Sequence, residues 1–446
     1  MDESVAQLLL VSIQQDKLVF LCGAGLSMAL PSHVPSATEL AEHCSQEYER
    51  RALPPPLPAA ARTDLEKLAR FFLANEQLGF LIDELVQWDR FCGDSNSGHE
   101  TIADFVTCGA SFCAITANFD ILIEKAAQAL GEKAFRAALD GDEANVHRSH
   151  RPLLKIHGCF QQRDYTLWCC DQLDCSRTDE VSKKLQARLA RSRAWLQANV
   201  PRRQLVLVGF WSDWRYLNTV LIESVRDIHP VGILLVDPLP QAELKVKAPE
   251  LWAWASSFGP HFRHVQVEAE VFLRELQEIF SRNILERVLK AAAGHAPEVC
   301  RDFSVVENAL GGLDAYALYA LRRDFAGAPS GTVAKWKDPQ DWMDAVGRVH
   351  LEMLSSGARL DGSSYLTTDG KRVRVVNGRT LPMNKVRSEY ASEPTKATPD
   401  DYFICAAPSS DIGPPRIIPR ATPSIVRPGS TAKWLTVQQA RDKGIL

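Results

Sequence analysis

The stretch LVFLCGAGLS, residues 18–27, decides the fold. Leu18–Cys22 is apolar throughout and runs straight into Gly23-Ala24-Gly25. A strand with one wet face alternates polar and apolar residues. A continuous apolar run marks a strand covered on both faces, as in a parallel sheet. Glycines directly after such a strand allow a tight turn and let backbone N–H groups approach a pyrophosphate. The third glycine of G-x-G-x-x-G is missing, with Met28 in its place. Taken alone, the turn is equally a plain strand-to-helix connection.

Similar runs recur along the chain. FCAIT (112–116), LLKI (153–156), QLVLV (204–208) and GILLV (232–236) read as further buried strands, with His264–Val267 as a sixth. Helical spacing falls between them: Val5–Gln14, Ile121–Leu130, Val181–Ala198, Tyr216–Ile228 and Ala269–Lys290. Strands alternating with helices predict an α/β fold with a parallel sheet and helices on both faces. The stretch from Thr38 to Val106 is too long for a simple crossover, so residues of about 38–108 are expected to form a helical insertion.

Composition sets the outer limits. The 446 residues exceed one average domain, and 46% hydrophobic with 24% charged residues is ordinary for a globular protein. The net charge of −4 argues against a general polyanion binder. Eleven cysteines, an odd number scattered through apolar runs, suit buried thiols in a reducing compartment. The first residues carry no basic leader, and no stretch is apolar enough to span a membrane, so a cytoplasmic protein is expected.

The chemistry-bearing residues all follow predicted strands. In open α/β sheets, ligands bind at the C-terminal strand edge. TANFD (116–120) brings Asn118, suited to a ribose hydroxyl or a water, and Asp120, which taken alone is better read as a helix cap. KIHG (155–158) brings His157, whose ordinary pKa of ~6.5 suits proton transfer. GFWSD (209–213) brings Gly209, Ser212 and Asp213, and VDP (236–238) brings Asp237. A carboxylate at a strand end can accept from a ribose diol, or it can cap a helix or form a turn.

In their order, GAGLS (23–27), TANFD, KIHG, GFWSD and VDP resemble the sirtuin-like family over about residues 1–283. That family comprises NAD-dependent protein deacylases and bacterial NAD-consuming defence proteins. The resemblance implies a Rossmann-type sheet with NAD at its C-terminal edge. Gly23, Ala24 and Gly25 would lie at the phosphates. Ser27, Asp120, Gly209, Ser212, Asp213 and Asp237 would complete the NAD site, and Asn118 and His157 fall on the family's catalytic pair. Sirtuin-like deacylases carry a zinc on two Cys-x-x-Cys pairs. Here Cys159, Cys169, Cys170 and Cys175 lack that spacing, so no metal is expected. The T-x-N-F-D and G-F-x-S-D forms look more like the anti-phage branch. The implied activity is NAD hydrolysis to nicotinamide and ADP-ribose in antiviral defence by abortive infection. The alternatives are an NAD-dependent deacylase, or a silent NAD or ADP-ribose sensor regulating a partner.

Residues 284–446 are read as a smaller mixed region for interaction or oligomerisation. A helix over Asp338–Ser355 is followed by the β-like pieces SSYLTT, KRVRVVNGRT with an Asn377-Gly378 turn signal, and DYFICAA. Eight prolines over 394–428 indicate extended or loop-like chain. This region has 22 Lys+Arg against 18 Asp+Glu, and a net +4 is thin support for direct nucleic-acid binding. The resemblance implies a homo-oligomer, or a protein partner such as an ATPase translocase or a short Argonaute.

Overall fold

The computed structural model describes residues 1–146, 150–177, 179–209, 230–300, 302–327, 341–390, 399–407 and 432–446. The chain divides into two compact units, Met1–Arg274 and Glu275–Leu446. The division falls inside one long helix, Ala269–His295.

Unit 1 is built on six parallel strands among the described residues. They are β1 (Leu18–Cys22), β2 (Cys113–Thr116), β3 (Leu153–Lys155), β4 (Gln204–Val208), β5 (Gly232–Val236) and β6 (Phe262–Val265), in the order β3-β2-β1-β4-β5-β6. This is the doubly wound Rossmann order, and it reverses between β1 and β4. The β1 run explains the position: all five residues are buried, as only a central strand covered on both faces requires. Val19 and Leu21 of β1 join Leu205, Leu207, Ile233 and Leu235 in one core, closed by Trp195 and Leu196 of the helix Glu180–Asn199. Phe20 faces the other way and packs on Phe105, at 5.8 Å between ring centroids, from the helix Ser97–Cys108. The strand β6 begins two residues before the expected His264 and is only partly buried, as suits an edge strand.

Between β1 and β2 lie the helices Ala37–Arg50, Leu65–Ala74 and Ser97–Cys108 with shorter turns. The first two build a core of their own around Tyr48, Leu68 and Phe72. That core continues through Trp88 to Phe119 and Trp168, so the helical segment packs against the TANFD stretch. The rings of Phe119 and Trp168 stack at 4.9 Å, and Trp88 meets Trp168 edge-on at 5.9 Å.

Unit 2 carries a second, mixed sheet of β7 (Arg359–Asp361), β8 (Ser364–Leu366), β9 (Arg372–Asn377), β10 (Tyr402–Ala406) and β11 (Lys433–Thr436), in the order β11-β10-β9-β8-β7. The first three strands form an antiparallel meander, and β9, β10 and β11 are parallel. The Asn377-Gly378 signal is therefore not a hairpin turn. The chain leaves β9 there for the helix Met383–Tyr390 and returns parallel. Arg379 and Thr380 take the positive φ values in that turn, 49° and 56°. Asn377 is spent on the structure itself, its Nδ2 donating to the Phe325 carbonyl at 2.8 Å. A buried fork joins Arg374 to Asp324 with two bonds of 2.7 Å. The expected helix Tyr216–Ile228 and most of the proline-rich stretch 394–428 lie outside the described residues.

Candidate functional site

The site forms where the strand order reverses, because the turns after β1 and β4 meet there. Gly23 N–H donates to the Val208 carbonyl at 3.0 Å, and Gly25 N–H donates to Gly209 O at 2.9 Å. The glycines thus serve close packing of two backbones, and both N–H groups are directed into the sheet rather than toward a ligand. Gly209 has φ of +58°, and a Cβ there would lie 2.5 Å from Leu26 N and 2.7 Å from Gly25 C. Gly209→Ala is therefore expected to cost ~1–3 kcal/mol through left-handed strain and backbone overlap. Thermal melting of the variant checks this, with a lower midpoint expected.

Ser27 lies at the centre of the polar network and is 1% exposed. Its Oγ is 3.0 Å from His99 Nε2, donates to Asp120 Oδ2 at 2.9 Å, and accepts from Asn118 Nδ2 at 3.0 Å. The tautomer of His99 follows from its other nitrogen. Nδ1 accepts from the Asn96 N–H at 3.2 Å, so in the neutral ring Nε2 carries the proton and donates to Ser27. Burial pushes His99 down to about 4, so it is neutral at physiological pH. With Nε2 already protonated, His99 cannot take a proton from Ser27, and the Ser-His-Asp grouping is no hydrolase triad. It is a positioning network instead.

Asn118 also donates to the Gly23 carbonyl at 3.1 Å, which bridges the end of β2 to the turn after β1. Its own N–H donates to Thr116 Oγ1 at 3.1 Å, and the residue is half-buried. Asp120 does two jobs: Oδ2 takes the Ser27 proton, and Oδ1 accepts from Leu122 N–H at 3.1 Å, at the first residue of the helix Leu122–Ala129. The expected helix cap is not Asp120 but Ile121, and the Asp120 carboxylate closes the turn that precedes it. Ala24 is exposed beside half-exposed Gly25, Ala117 and Asn118, and together they form the open edge.

His157 sits next to these groups. Ile156 N–H donates to the Thr116 carbonyl at 3.0 Å, the His157 ring bonds to the Ala117 backbone, and its centroid is 6.2 Å from that of Phe119. The residue is 3% exposed. Burial, with nearby Arg188, drives its pKa from 6.5 to about 3. The expected value near neutrality thus gives way to a neutral, weakly basic ring, because the helical segment and the 159–168 turns exclude water. Both histidines bind protons more readily unfolded than folded. Stability therefore rises with pH between the folded values and 6.5, and is lost as pH falls below 6.5 toward about 4 for His99 and about 3 for His157. Each is expected to contribute a slope of up to ~1.4 kcal/mol per pH unit in that window. Urea titrations from pH 7 to 4.5 measure it, and replacing either ring by Gln should flatten the curve.

Asp237 ends β5 and is fully buried. Its Oδ1 accepts from Leu239 N–H at 2.9 Å, while Oδ2 has no hydrogen-bond partner among the described residues. Burial raises its pKa, with His264 and Lys247 opposing. An orphaned carboxylate oxygen at this edge fits a ligand hydroxyl. Ser212 and Asp213 lie outside the described residues.

Sequence reasoning missed His99, Asn96 and Lys155. The signal for the first two was available: Asn96-x-x-His99 is a capping box at the start of Ser97–Cys108. Lys155 is fully buried and pairs with Glu124 at 2.8 Å. It also donates to the Asp120 carbonyl and to Cys159 Sγ, the latter at 3.6 Å, which ties β3 to the TANFD stretch.

Cys159, Cys169, Cys170 and Cys175 lack the paired Cys-x-x-Cys spacing of a zinc module. Burial pushes Cys169 up to about 11 and Cys170 up to about 12. Among the described residues no group of three His, Cys, Asp or Glu side chains converges as a metal site. No helix of the described residues is long and apolar enough to cross a membrane.

No curated protein matches this chain. Among solved structures the chain is similar to a mutant Sir2 homologue in complex with ADP-ribose, at 15% identity over 62% of this chain and 95% of that one, with a TM-score of 0.32. It is also similar to a Sir2 homologue in complex with NAD, at 15% identity over 62% and 92%, with a TM-score of 0.34. A third is Sir2 bound to acetylated peptide, at 12% identity over 62% and 98%, with a TM-score of 0.32. Residues 113–236, which carry Asn118, His157 and Gly209, match the SIR2-like domain model.

Proposed function

We propose that unit 1 binds NAD at the edge formed by Ala24, Gly25, Asn118, Gly209 and Asp237, and hydrolyses it to nicotinamide and ADP-ribose. The observation that carries this reading is the Asn118 amide, held at the strand switch point by Gly23 and Ser27. In open α/β sheets that crevice is the ligand site. The match of residues 113–236 to the SIR2-like domain supports the choice of NAD.

The bond to be broken joins a ribose to a positively charged nicotinamide, which is already a good leaving group. The protein's task is then to hold the ribose, stabilise an oxocarbenium-like state and present water. Asn118 holds the water or the nicotinamide ribose. His157, kept neutral by burial, accepts the proton of a ribose hydroxyl or of that water once substrate has opened the pocket. Asp237 Oδ2 accepts from a ribose hydroxyl. Ser27, Asp120 and His99 hold Asn118 in place.

The deacylase reading shares this site but needs a recognition module for the acyl-lysine peptide. The lack of paired Cys-x-x-Cys spacing among Cys159, Cys169, Cys170 and Cys175 supports hydrolysis. Incubation of the whole chain with NAD separates the two readings. Nicotinamide released without peptide supports hydrolysis, release only with an acyl-lysine peptide supports the deacylase, and intact NAD in both supports a sensor. We further infer a bacterial anti-phage role in which NAD depletion is switched on in a homo-oligomer or by a partner protein through residues 284–446. The forms of TANFD and GFWSD support that branch.

A further inference from the structure

Arg188 lies on the face of the helix Glu180–Asn199 that also buries Leu185, Ser192 and Trp195, and it is only 6% exposed. A guanidinium keeps its charge at any physiological pH, so burying one is costly unless its donors are used. Here they are used by the main chain just before His157. Nη1 donates to the carbonyls of Leu139 at 3.1 Å and Lys155 at 3.2 Å, and Nη2 donates to that of Ile156 at 3.0 Å.

The position follows from how the strand ladders end. On one side of β3, Ala138 N–H donates to Leu153 O at 2.7 Å, and Lys155 N–H donates to Ala138 O at 2.8 Å. On the other side, Ile156 N–H donates to Thr116 O, but the next N–H of that ladder, on Asn118, turns to Thr116 Oγ1 at 3.1 Å. The carbonyls of Leu139, Lys155 and Ile156 come after these last rungs, and Arg188 serves all three. The Ile156 carbonyl belongs to the peptide that carries His157. The His157 carbonyl accepts from Leu167 N–H at 2.9 Å. His157 is thus anchored on both sides of its Cα, and its ring bonds to the Ala117 backbone.

We propose that Arg188 is a positioning residue for His157, its guanidinium holding the Ile156–His157 peptide in the setting that places the ring beside Ala117 and Phe119. The proposal rests on the reading of His157 as the proton acceptor in NAD cleavage. The charge of Arg188 has a second effect. Burial is the first reason that the ring stays neutral, and the nearby guanidinium is the second. Other described charges on the elements around the ring are committed elsewhere. Lys155, on the same strand, pairs with Glu124, and Asp120 accepts from Ser27. Arg163, from the turns after His157, lies over the Trp88 ring at 5.0 Å, and Arg191, from the same helix as Arg188, pairs with Asp140.

The test compares Arg188→Met, which loses both the charge and the fork, with Arg188→Lys, which keeps the charge but offers one nitrogen to three carbonyls. The whole chain, labelled with 13C-histidine, is titrated by NMR from pH 7 to 4.5 without NAD. His157→Gln identifies the His157 signal, and circular dichroism confirms folding. At pH 7 the His157 signal is expected to move in both variants, since its peptide is released in both. Losing the positive charge raises the proton affinity of the ring. At pH 4.5 the protonated fraction in Arg188→Met should therefore be at least about threefold that of the parent, while Arg188→Lys titrates like the parent. In NAD cleavage, Arg188→Met should lower kcat by about tenfold or more and Arg188→Lys by about threefold or more, with KM little changed, because the ring is displaced and the substrate contacts are not. An unmoved His157 signal in either folded variant, or a parental titration in folded Arg188→Met, would overturn the proposal. Parental kcat in Arg188→Lys would overturn it as well, and this arm decides if Arg188→Met does not fold. A parent chain that leaves NAD intact would count against the proposed reaction alone, because the NMR comparison contains no NAD and still decides whether Arg188 sets His157.

Discussion

Asn118→Ala is expected to lower kcat for NAD cleavage by about 10²–10³-fold, the usual loss on removing one preorganised polar group at a reacting centre. The expectation rests on geometry. The Asn118 amide is fixed by two bonds, to Gly23 O at 3.1 Å and Ser27 Oγ at 3.0 Å, and is half-buried at the open edge. Its position is therefore set before substrate arrives, and the alanine variant loses a placed group rather than a mobile one. The folding cost should be small, ~1–2 kcal/mol for two hydrogen bonds, so the variant remains folded at assay temperature. Asn118→Asp is an informative companion. It keeps the shape but turns a donor into an acceptor facing the Gly23 carbonyl and the Ser27 hydroxyl, so it should fail as badly. Single-turnover release of nicotinamide is the measurement. Turnover by the folded alanine variant within threefold of the parent would remove Asn118 from the reaction, and the mechanism with it.

Lys155→Met should be the most destabilising single change in unit 1, costing ~3–5 kcal/mol. The Lys155 side chain is 1% exposed and that of Glu124 is 9% exposed, so neither charge has access to water. Burial alone would lower the Lys155 pKa, but Glu124, Cys159 and Asp120 outweigh it and hold the ammonium charged. Removing the lysine leaves a buried carboxylate with nothing to neutralise it. It also frees the Asp120 carbonyl and with it the TANFD stretch. Replacing both partners, as Lys155→Met with Glu124→Leu, removes both desolvation penalties and should restore most of the loss. Urea denaturation of the two single variants and the double variant measures the coupling. Additive costs in the double variant would show that the pair does not act as a unit. A single-variant cost under 1 kcal/mol would show that the site is wetter than its burial indicates.

Much of unit 1 was legible in the chain itself. Short uninterrupted apolar runs ending at Gly, Asn or Asp turns read as strands covered on both faces, and that reasoning located β1 to β5 to within a residue. The glycines after β1, and Asn118, His157, Gly209 and Asp237 after later strands, had to share the C-terminal edge of a parallel sheet. Local pattern was less informative where the same residues suit several structures. The Asn377-Gly378 pair marks a turn in either topology, and only the parallel pairing of β9 with β10 shows that a helix follows it. The edge strand β6 was blurred because it is only partly buried, so its residues follow no strict pattern.

The sequence by itself determined the sheet, its polarity and which residues arrive at its C-terminal edge, because strand burial and side-chain period are local properties. Only the tertiary structure decided that the turns after β1 and β4 touch, that Ser27 joins Asn118, Asp120 and His99, and that His157 is held neutral. Those facts depend on groups far apart along the chain, such as Gly23 and Val208, and on water excluded by the helical segment between β1 and β2. Desolvation and hydrogen-bond geometry belong to the packed chain, so no reading of local spacing contains them.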